Sequence, residues 1–295
     1  MDLLISLAAR IIVFYVLLLS LNLIVGKTRI WAFGHVGFFG LGMFFAVFFP
    51  IRFGWDPWAA IAVTVVGGTI CALLMGMVSL GLEREPFIVV NLFFAQLVYA
   101  LTVSLGGPRG FYGFPRPSGW YQILRSDAVF AIVCLLPVAL GTRWLFRRVT
   151  SSPLHRVGYF ISSFPAVAAL FGYHPRRYSL AMFAAGSSIA VLAGVVYAWL
   201  VGGTDPSLAT PYAGMMVFAM ILLGGVDSLV GTAVASVLLV ALPTVISFAI
   251  QFSPRASYFA GQVSQLIFGL LLVGCIRYLP GGIAGGSTSW SRSGY

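Results

Sequence analysis

RWLFRRVTSSPLHRVGYFISSFPAVAALFGYHPRR, residues 143–177, holds six arginines, and no Asp or Glu occurs between positions 128 and 204. Long apolar runs flank it on both sides. Uncompensated positive charge between two hydrophobic runs marks a cytoplasmic loop of a multispanning membrane protein. Inside the loop lies an apolar stretch, residues 159–172, bounded by Pro153 and Pro175. A short apolar helix held at a membrane face is what a membrane subunit needs to dock onto a soluble partner.

Composition points the same way. Hydrophobic residues make up 60 % of the 295 and charged residues 8 %, with a mean hydropathy of +1.01. A soluble domain carries roughly 25 % charged residues, so the bilayer is the solvent for this chain. The net charge of +10 could suggest nucleic acid. Against that, sixteen of the 17 basic residues are Arg, scattered over loops and helix ends without a basic-aromatic stripe. Positive-inside topology explains them with fewer assumptions. Cys71, Cys134 and Cys275 all fall in apolar runs, which indicates neither a disulfide framework nor a metal site. The first 25 residues exceed a signal-peptide core in length and are interrupted by Arg10, so they read as a retained first helix.

A spanning helix needs about 20 apolar residues. Nine stretches qualify: 3–25, 31–49, 57–82, 86–105, 128–146, 178–201, 211–223, 229–250 and 262–279. The expected fold is therefore an all-α polytopic membrane protein with about nine (8–10) transmembrane helices. The seventh stretch is short enough to be a broken or re-entrant piece. With the arginine loop inside, the N-terminus lies outside and Lys27, Arg29 and Asp227 lie inside. Arg109, Arg116 and Arg125 then fall outside, against the trend. The turn-rich GGPRGFYGFPRPSG, residues 106–119, reads as a structured external loop. No linker divides the chain, so one integral membrane domain is expected over 1–285, followed by a polar, mobile cytoplasmic tail over 286–295.

Secondary transporters need ionisable groups at membrane depth to bind a coupling ion. Here Asp2, Asp56, Glu83, Glu85, Asp127, Asp205 and Asp227 all fall at expected ends or loops. A charge at the centre of a spanning helix costs roughly 2.5–3.5 kcal/mol on insertion scales, so their absence there is meaningful. Motive force has to come from another protein. Catalysis is not signalled either: His35, His155 and His174 have no Cys or carboxylate at ligand spacing, and no nucleophile elbow or HExxH occurs. His35 sits inside a span, where it either hydrogen-bonds a helix carbonyl or lines a pathway. Asn22, Asn91, Gln96, Ser187 and Ser188 either bridge helices or meet a polar substrate. Phe38 opens a run of phenylalanines suited to packing or to an apolar path.

Small residues recur on helix faces. Gly34, Gly37 and Gly40 repeat every three residues with Gly42 behind them; Gly68, Ala72 and Gly76 repeat every four, as do Ala190, Gly194 and Ala198. Such faces let backbones approach closely in lipid.

Five collinear segments resemble one family. NLIVGKTRIWAFGHVGFFGLGMFFA (22–46) resembles NL..G.TG..S.GH..FFG.GAY.A, and GGPRGFYGFPRP (106–117) resembles GGP.GL.GIPRP. AALFGYHPRRYSLAMFAAGSSIAVLAGVVYA (168–198) is similar to the coupling segment and following helix, AEALGI...RYKL.AF..SA..AGLAGALYA. LLGGVDSLVGTAVAS (222–236) resembles LGG.GS..GP..GA, and YLPGGIAG (278–285) the closing LP.GLAG. The family is the permease subunits of branched-chain amino acid-type ABC importers, in their M-type form.

The resemblance implies a non-enzymatic transport subunit of the bacterial cytoplasmic (inner) membrane. Its partners would be a related but different permease chain, two cytoplasmic ATP-binding subunits and a periplasmic solute-binding protein. ATP and Mg would be used by the ATPases, with no cofactor in this chain. The solute would be a small organic molecule: hydrophobic amino acids first, then urea, short amides and aromatic or dicarboxylic acids. The coupling helix would lie near 159–172, with ATPase contacts at Arg156, Phe164, Pro165, Ala168, Ala169, Leu170, Phe171, Gly172, Arg176 and Arg177. His35, Phe38, Asn91, Gln96 and Ser187 would border the substrate path. Gly34, Gly37, Gly40, Gly42, Gly224, Gly225 and Gly231 would stand at helix crossings.

Two departures stand out. The coupling segment has Pro165 and no carboxylate, where the family usually carries acidic residues. The pattern's TG turn after Gly26 is replaced by Lys27–Trp31, and a glycine of LGG.GS by Asp227. The rival readings are a passive channel for a small polar solute, which would need a polar filter, and an intramembrane enzyme, which would need a partner for His35.

Overall fold

Proline and glycine punctuate the apolar runs and set where each helix begins and ends. The computed structural model describes residues 2–113, 127–151 and 153–250, with ten more residues between 266 and 283. The tail over 286–295, the external loop beyond Gly113 and much of the stretch 262–279 lie outside the described residues.

Ten α-helices occur among the described residues: α1 Asp2–Thr28, α2 His35–Phe53, α3 Pro57–Ser79, α4 Arg84–Gly106, α5 Asp127–Ser151, α6 Pro153–Ser163, α7 Pro165–Leu170, α8 Pro175–Val201, α9 Pro211–Gly224 and α10 Leu229–Ile250. A 3₁₀ turn, Pro206–Ala209, precedes α9. Five helices open on a proline whose missing N–H would have no intrahelical acceptor anyway. Asp56 and Thr210 cap two of them through the amides of Trp58 and Ala213. Gly54 and Gly202, both left-handed, end α2 and α8.

The protein is all-helical among the described residues, and five helices are long and apolar enough to cross a membrane: Leu4–Thr28, His35–Phe53, Pro57–Ser79, Arg84–Gly106 and Pro175–Val201. Two shorter apolar helices, Pro211–Gly224 and Leu229–Val245, follow.

α8 is the axis of the bundle and packs against α1, α2, α3 and α5. Its most extensive crossing, with α2, is reciprocal. A Cβ on Gly42 would strike the Val191 carbonyl, and one on Gly194 would strike the Phe39 carbonyl. In lipid, where apolar area gains nothing by leaving the solvent, this backbone approach supplies the packing that holds two helices together. α3 buries only Ala60, Thr64, Gly68, Ala72, Gly76 and Ser79, a single small-residue stripe. Its outer face exposes Val66, Ile70, Leu74 and Val78. Ser188 Oγ lies 2.9 Å from Thr69 Oγ1 and ties α8 to α3.

The bundle has two distinct ends. At one, the Phe111 amide donates to Thr204 Oγ1 (2.7 Å), the Thr204 amide donates to the Phe111 carbonyl (2.8 Å), and Tyr112 bridges Gly203. At the other, the close of α1 meets the turn between α9 and α10. The chain must therefore run from one end to the other between Gly203 and Asp227, although α9 has only 14 residues, about 21 Å of helix. The 3₁₀ turn and extended residues supply the remaining length. The seventh stretch is a broken crossing of the bundle, not a dip that returns to the end where it started.

Candidate functional site

His35, the first residue of α2, is fully buried, and its Nε2 lies 2.8 Å from Ser20 Oγ on α1. Ser20 Oγ also lies 2.7 Å from the Leu17 carbonyl. A carbonyl can only accept, so the hydroxyl hydrogen belongs on Leu17 O and the imidazole hydrogen on Nε2. Nδ1 then remains an acceptor with no partner among the described residues. The partner of His35 is thus a neighbouring helix's hydroxyl rather than a helix carbonyl.

Two of the other residues expected along a path, Phe38 and Asn91, stand beside His35, and a third, Ser187, is buried on α8. Phe38 is fully buried, its ring centroid 4.6 Å from that of Phe94 and 5.7 Å from that of Phe183. Asn91 is buried on α4; its Nδ2 donates to the Phe87 carbonyl (3.0 Å) while Oδ1 has no partner. Ser187, one turn beyond Phe183 on α8, is buried with an unpartnered Oγ. Gln96 is not with them. α4 turns Phe87, Asn91, Phe94, Ala95, Val98 and Thr102 inward, and Gln96 lies on its exposed side.

The glycines of α2 let this cluster close. Gly34 abuts the Asn91 backbone, Gly37 the Phe94 ring and Ala95, and Gly40 faces Ala209 ahead of α9. Gly224 packs on the Gly231 carbonyl, and Gly225 turns the chain at φ 103°.

That turn receives the end of α1. Asn22 Oδ1 accepts from the Asp227 amide (2.8 Å), and Asn22 Nδ2 donates to Thr232 Oγ1 (2.8 Å). Lys27 Nζ pairs with Asp227 Oδ1, the two side chains 0 % and 9 % exposed. Asp227 itself adopts φ 66°, and Arg29 φ 56°. Of these contacts the sequence reading anticipated only that Asn22 might bridge helices. The available signal was that Asp227 and Arg29, the latter two residues beyond the chain's single lysine, both stand where the resembled pattern has glycine.

The arginine loop folds as two helices, α6 and α7, not as one segment over 159–172. Pro165 breaks them, because its ring cannot continue α6 yet suits the first turn of α7. In α7, Ala168 is fully buried, whereas Phe164, Val167 and Leu170 are 58, 42 and 87 % exposed. Phe171, 73 % exposed, follows, and Gly172 ends the turn at φ 81°. Phe160 of α6 anchors this tip from within, its ring 6.2–6.5 Å from those of Phe164, Phe171 and Tyr173. Pro165 and Ala169 are exposed, as are Arg176 and Arg177 at the start of α8. Arg176 Nη2 donates to the Met77 carbonyl (2.6 Å) and ties α8 to the end of α3. The side chain of Arg156 lies outside the described residues.

Two features now stand together: a tight, glycine-seamed bundle enclosing a buried polar cluster, and an apolar knob presented at one end. The family model of the branched-chain amino acid transport system / permease component matches residues 3–276. Among curated proteins, the high-affinity branched-chain amino acid transport system permease protein LivM of Escherichia coli K12 is 25 % identical over 263 residues. The alignment covers 80 % of this chain and 62 % of that protein. LivM of Salmonella typhimurium LT2 gives the same identity and coverage. The chain thus spans less than two thirds of the length of the curated relatives it matches. No solved structure matches it. With the match extending over nearly all of its length, the chain belongs to the family of branched-chain amino acid transport system permease components.

Proposed function

We propose that this chain is the transmembrane permease subunit of an ATP-driven importer for a small organic solute, with branched-chain and other hydrophobic amino acids as the leading class. The observation that carries the reading is α7. Every residue of it except Ala168 is exposed, Leu170 most of all, on a tip whose base is packed by Phe160. A six-residue helix is too short to be stable alone, so an exposed apolar one held by the fold suits the grip of a soluble motor.

On this reading one integral domain over 1–285, with about nine spans and an outward N-terminus, sits in the bacterial inner membrane. It pairs with a related permease chain, two ATPases that hold ATP and Mg, and a periplasmic binding protein. Arg156, Arg176 and Arg177 flank the docking tip, and the tail over 286–295 lies on the same side. His35, Phe38, Asn91 and Ser187 border the path when the bundle opens, and the glycines of α2 and of the 224–231 turn are the surfaces that shift. Family membership disfavours the passive channel. An enzyme is disfavoured because the Ser20–His35 pair is sealed on every side.

The test is uptake of radiolabelled leucine by vesicles reconstituted with the chain, its copurified subunits and binding protein. Uptake should require ATP inside the vesicle. Equal uptake without ATP would overturn the proposal in favour of a facilitator.

A further inference from the structure

A cavity of about 430 Å³ opens where four of the five candidate spans end. Thr28, Leu80, Arg84 and Pro175, at the ends of α1, α3, α4 and α8, line it together with the α1–α2 turn. Its volume falls in the range of small-molecule sites. Three arginines from three separate segments converge there: Arg29, Arg84 and Arg176. No carboxylate lines it.

Each guanidinium is held in place by the protein. Arg84 stacks 3.8 Å over the Trp31 ring, Arg29 lies 4.8 Å over Tyr159, and Arg176 donates to the Met77 carbonyl. Stacking engages the face of the Arg84 group and leaves its in-plane N–H fork available for a two-oxygen acceptor. No ion pair to Arg84 or Arg176 occurs among the described residues. Bringing the Arg84 and Arg176 charges together is unfavourable, the more so beside apolar walls such as Ile30, Leu82 and Phe87.

We infer that this cavity binds the headgroup of an anionic phospholipid from the leaflet on the α6–α7 side. The phosphodiester would bridge Arg84 and Arg176, and the glycerol and first acyl carbons would lie against the apolar wall. The depth selects a lipid over a free anion. The cavity is framed by residues at the ends of α1, α3, α4 and α8, four of the five candidate spans, which is the level of the headgroups in a bilayer, and basic pockets between spans on that face suit anionic lipids. The inference needs only that the chain spans a membrane and does not rest on what it transports.

The experiment uses the full-length chain with its copurified subunits in mixed micelles. Dioleoylphosphatidylglycerol should raise the melting temperature by several degrees more than dioleoylphosphatidylcholine, and native mass spectrometry should retain the former. Arg84→Gln and the double variant R84Q/R176Q should weaken the phosphatidylglycerol response at least five-fold. Arg177→Gln, whose side chain does not line this cavity, should keep it. Should the double variant fail to fold, Arg84→Gln alone and the wild-type lipid comparison decide. Equal responses to the two lipids would overturn the inference. So would an equal response to inorganic phosphate or leucine alone, or an undiminished phosphatidylglycerol response in Arg84→Gln.

Discussion

Lys27 on α1 and Asp227 in the α9–α10 turn form a buried ion pair across 200 residues of sequence. Asp227 departs from the family pattern quoted above, as does Arg29, two residues beyond Lys27, where the pattern has the glycine of TG. Asp227 stands at a glycine of LGG.GS, and its φ of 66° is the conformation that a glycine would adopt there freely. Aspartate is among the few residues that tolerate it. The carboxylate that stands in place of a glycine is neutralised by Lys27.

Breaking a buried pair on one side leaves an uncompensated charge, at about 3–5 kcal/mol, whereas replacing both partners is often close to neutral. Lys27→Met should therefore lower the thermal midpoint sharply, and K27M/D227G should recover most of the loss. Thermal unfolding of the three proteins in one detergent checks this. Additive losses in the double variant would show that the two residues act separately.

The reciprocal crossing of α2 and α8 leaves no room for a methyl group. Gly42→Ala and Gly194→Ala each push a Cβ into a backbone carbonyl of the facing helix. Each should destabilise by about 1–3 kcal/mol, as overpacking does. Gly141→Ala on α5 is the contrast, because nothing among the described residues lies within 4 Å of a Cβ there. It should be neutral or stabilising by up to about 1 kcal/mol. Thermal midpoints in detergent order the three. A Gly42→Ala protein as stable as wild type would mean that the crossing is looser than described.

Ser20 and His35 lock α1 to α2 inside the bundle. Ser20→Ala leaves the buried Nε2–H without its acceptor, a loss of about 1–3 kcal/mol. The double variant S20A/H35F removes both polar partners and should be less than additive by at least about 0.5 kcal/mol. A pathway role for His35 adds a second readout, since cysteine at Asn91 should react with a polar thiol reagent in one nucleotide state and not in another. Inertness in every state would remove this cluster from the path.

How far the fold could be read depended on what lipid does to a sequence. Charge is sparse along the apolar runs, so five of the nine expected spans and the arginine loop between runs were legible, and the small-residue stripe on α3 marked its protein-facing side directly. The orientation of Gln96 was not. In a soluble helix polar and apolar faces separate, but α4 is apolar all round, and hydropathy cannot tell its lipid face from its packed face. The split of the arginine loop is marked by Pro165 and by the Ser162–Ser163 pair before it, but the apolar stretch on both sides of them hides it from hydropathy. Lys27–Asp227 and the Arg29–Arg84–Arg176 cavity join distant turns, and no local spacing encodes such meetings.

The tip of α7 gives the sharpest separation of function from folding. Leu170 is 87 % exposed, so replacing it removes almost no packing within the chain. Leu170→Arg should leave the thermal midpoint within about 0.5 kcal/mol of wild type, as surface changes generally do. A docked motor would instead have to bury an unpaired guanidinium. In reconstituted complexes Leu170→Arg should abolish substrate-stimulated ATP hydrolysis, while Ala168→Leu, which overfills a fully buried site, should unfold the tip and lower stability first. Normal ATPase stimulation in Leu170→Arg would mean that the motor grips this subunit elsewhere, and the exposed phenylalanines of α7 would need another explanation.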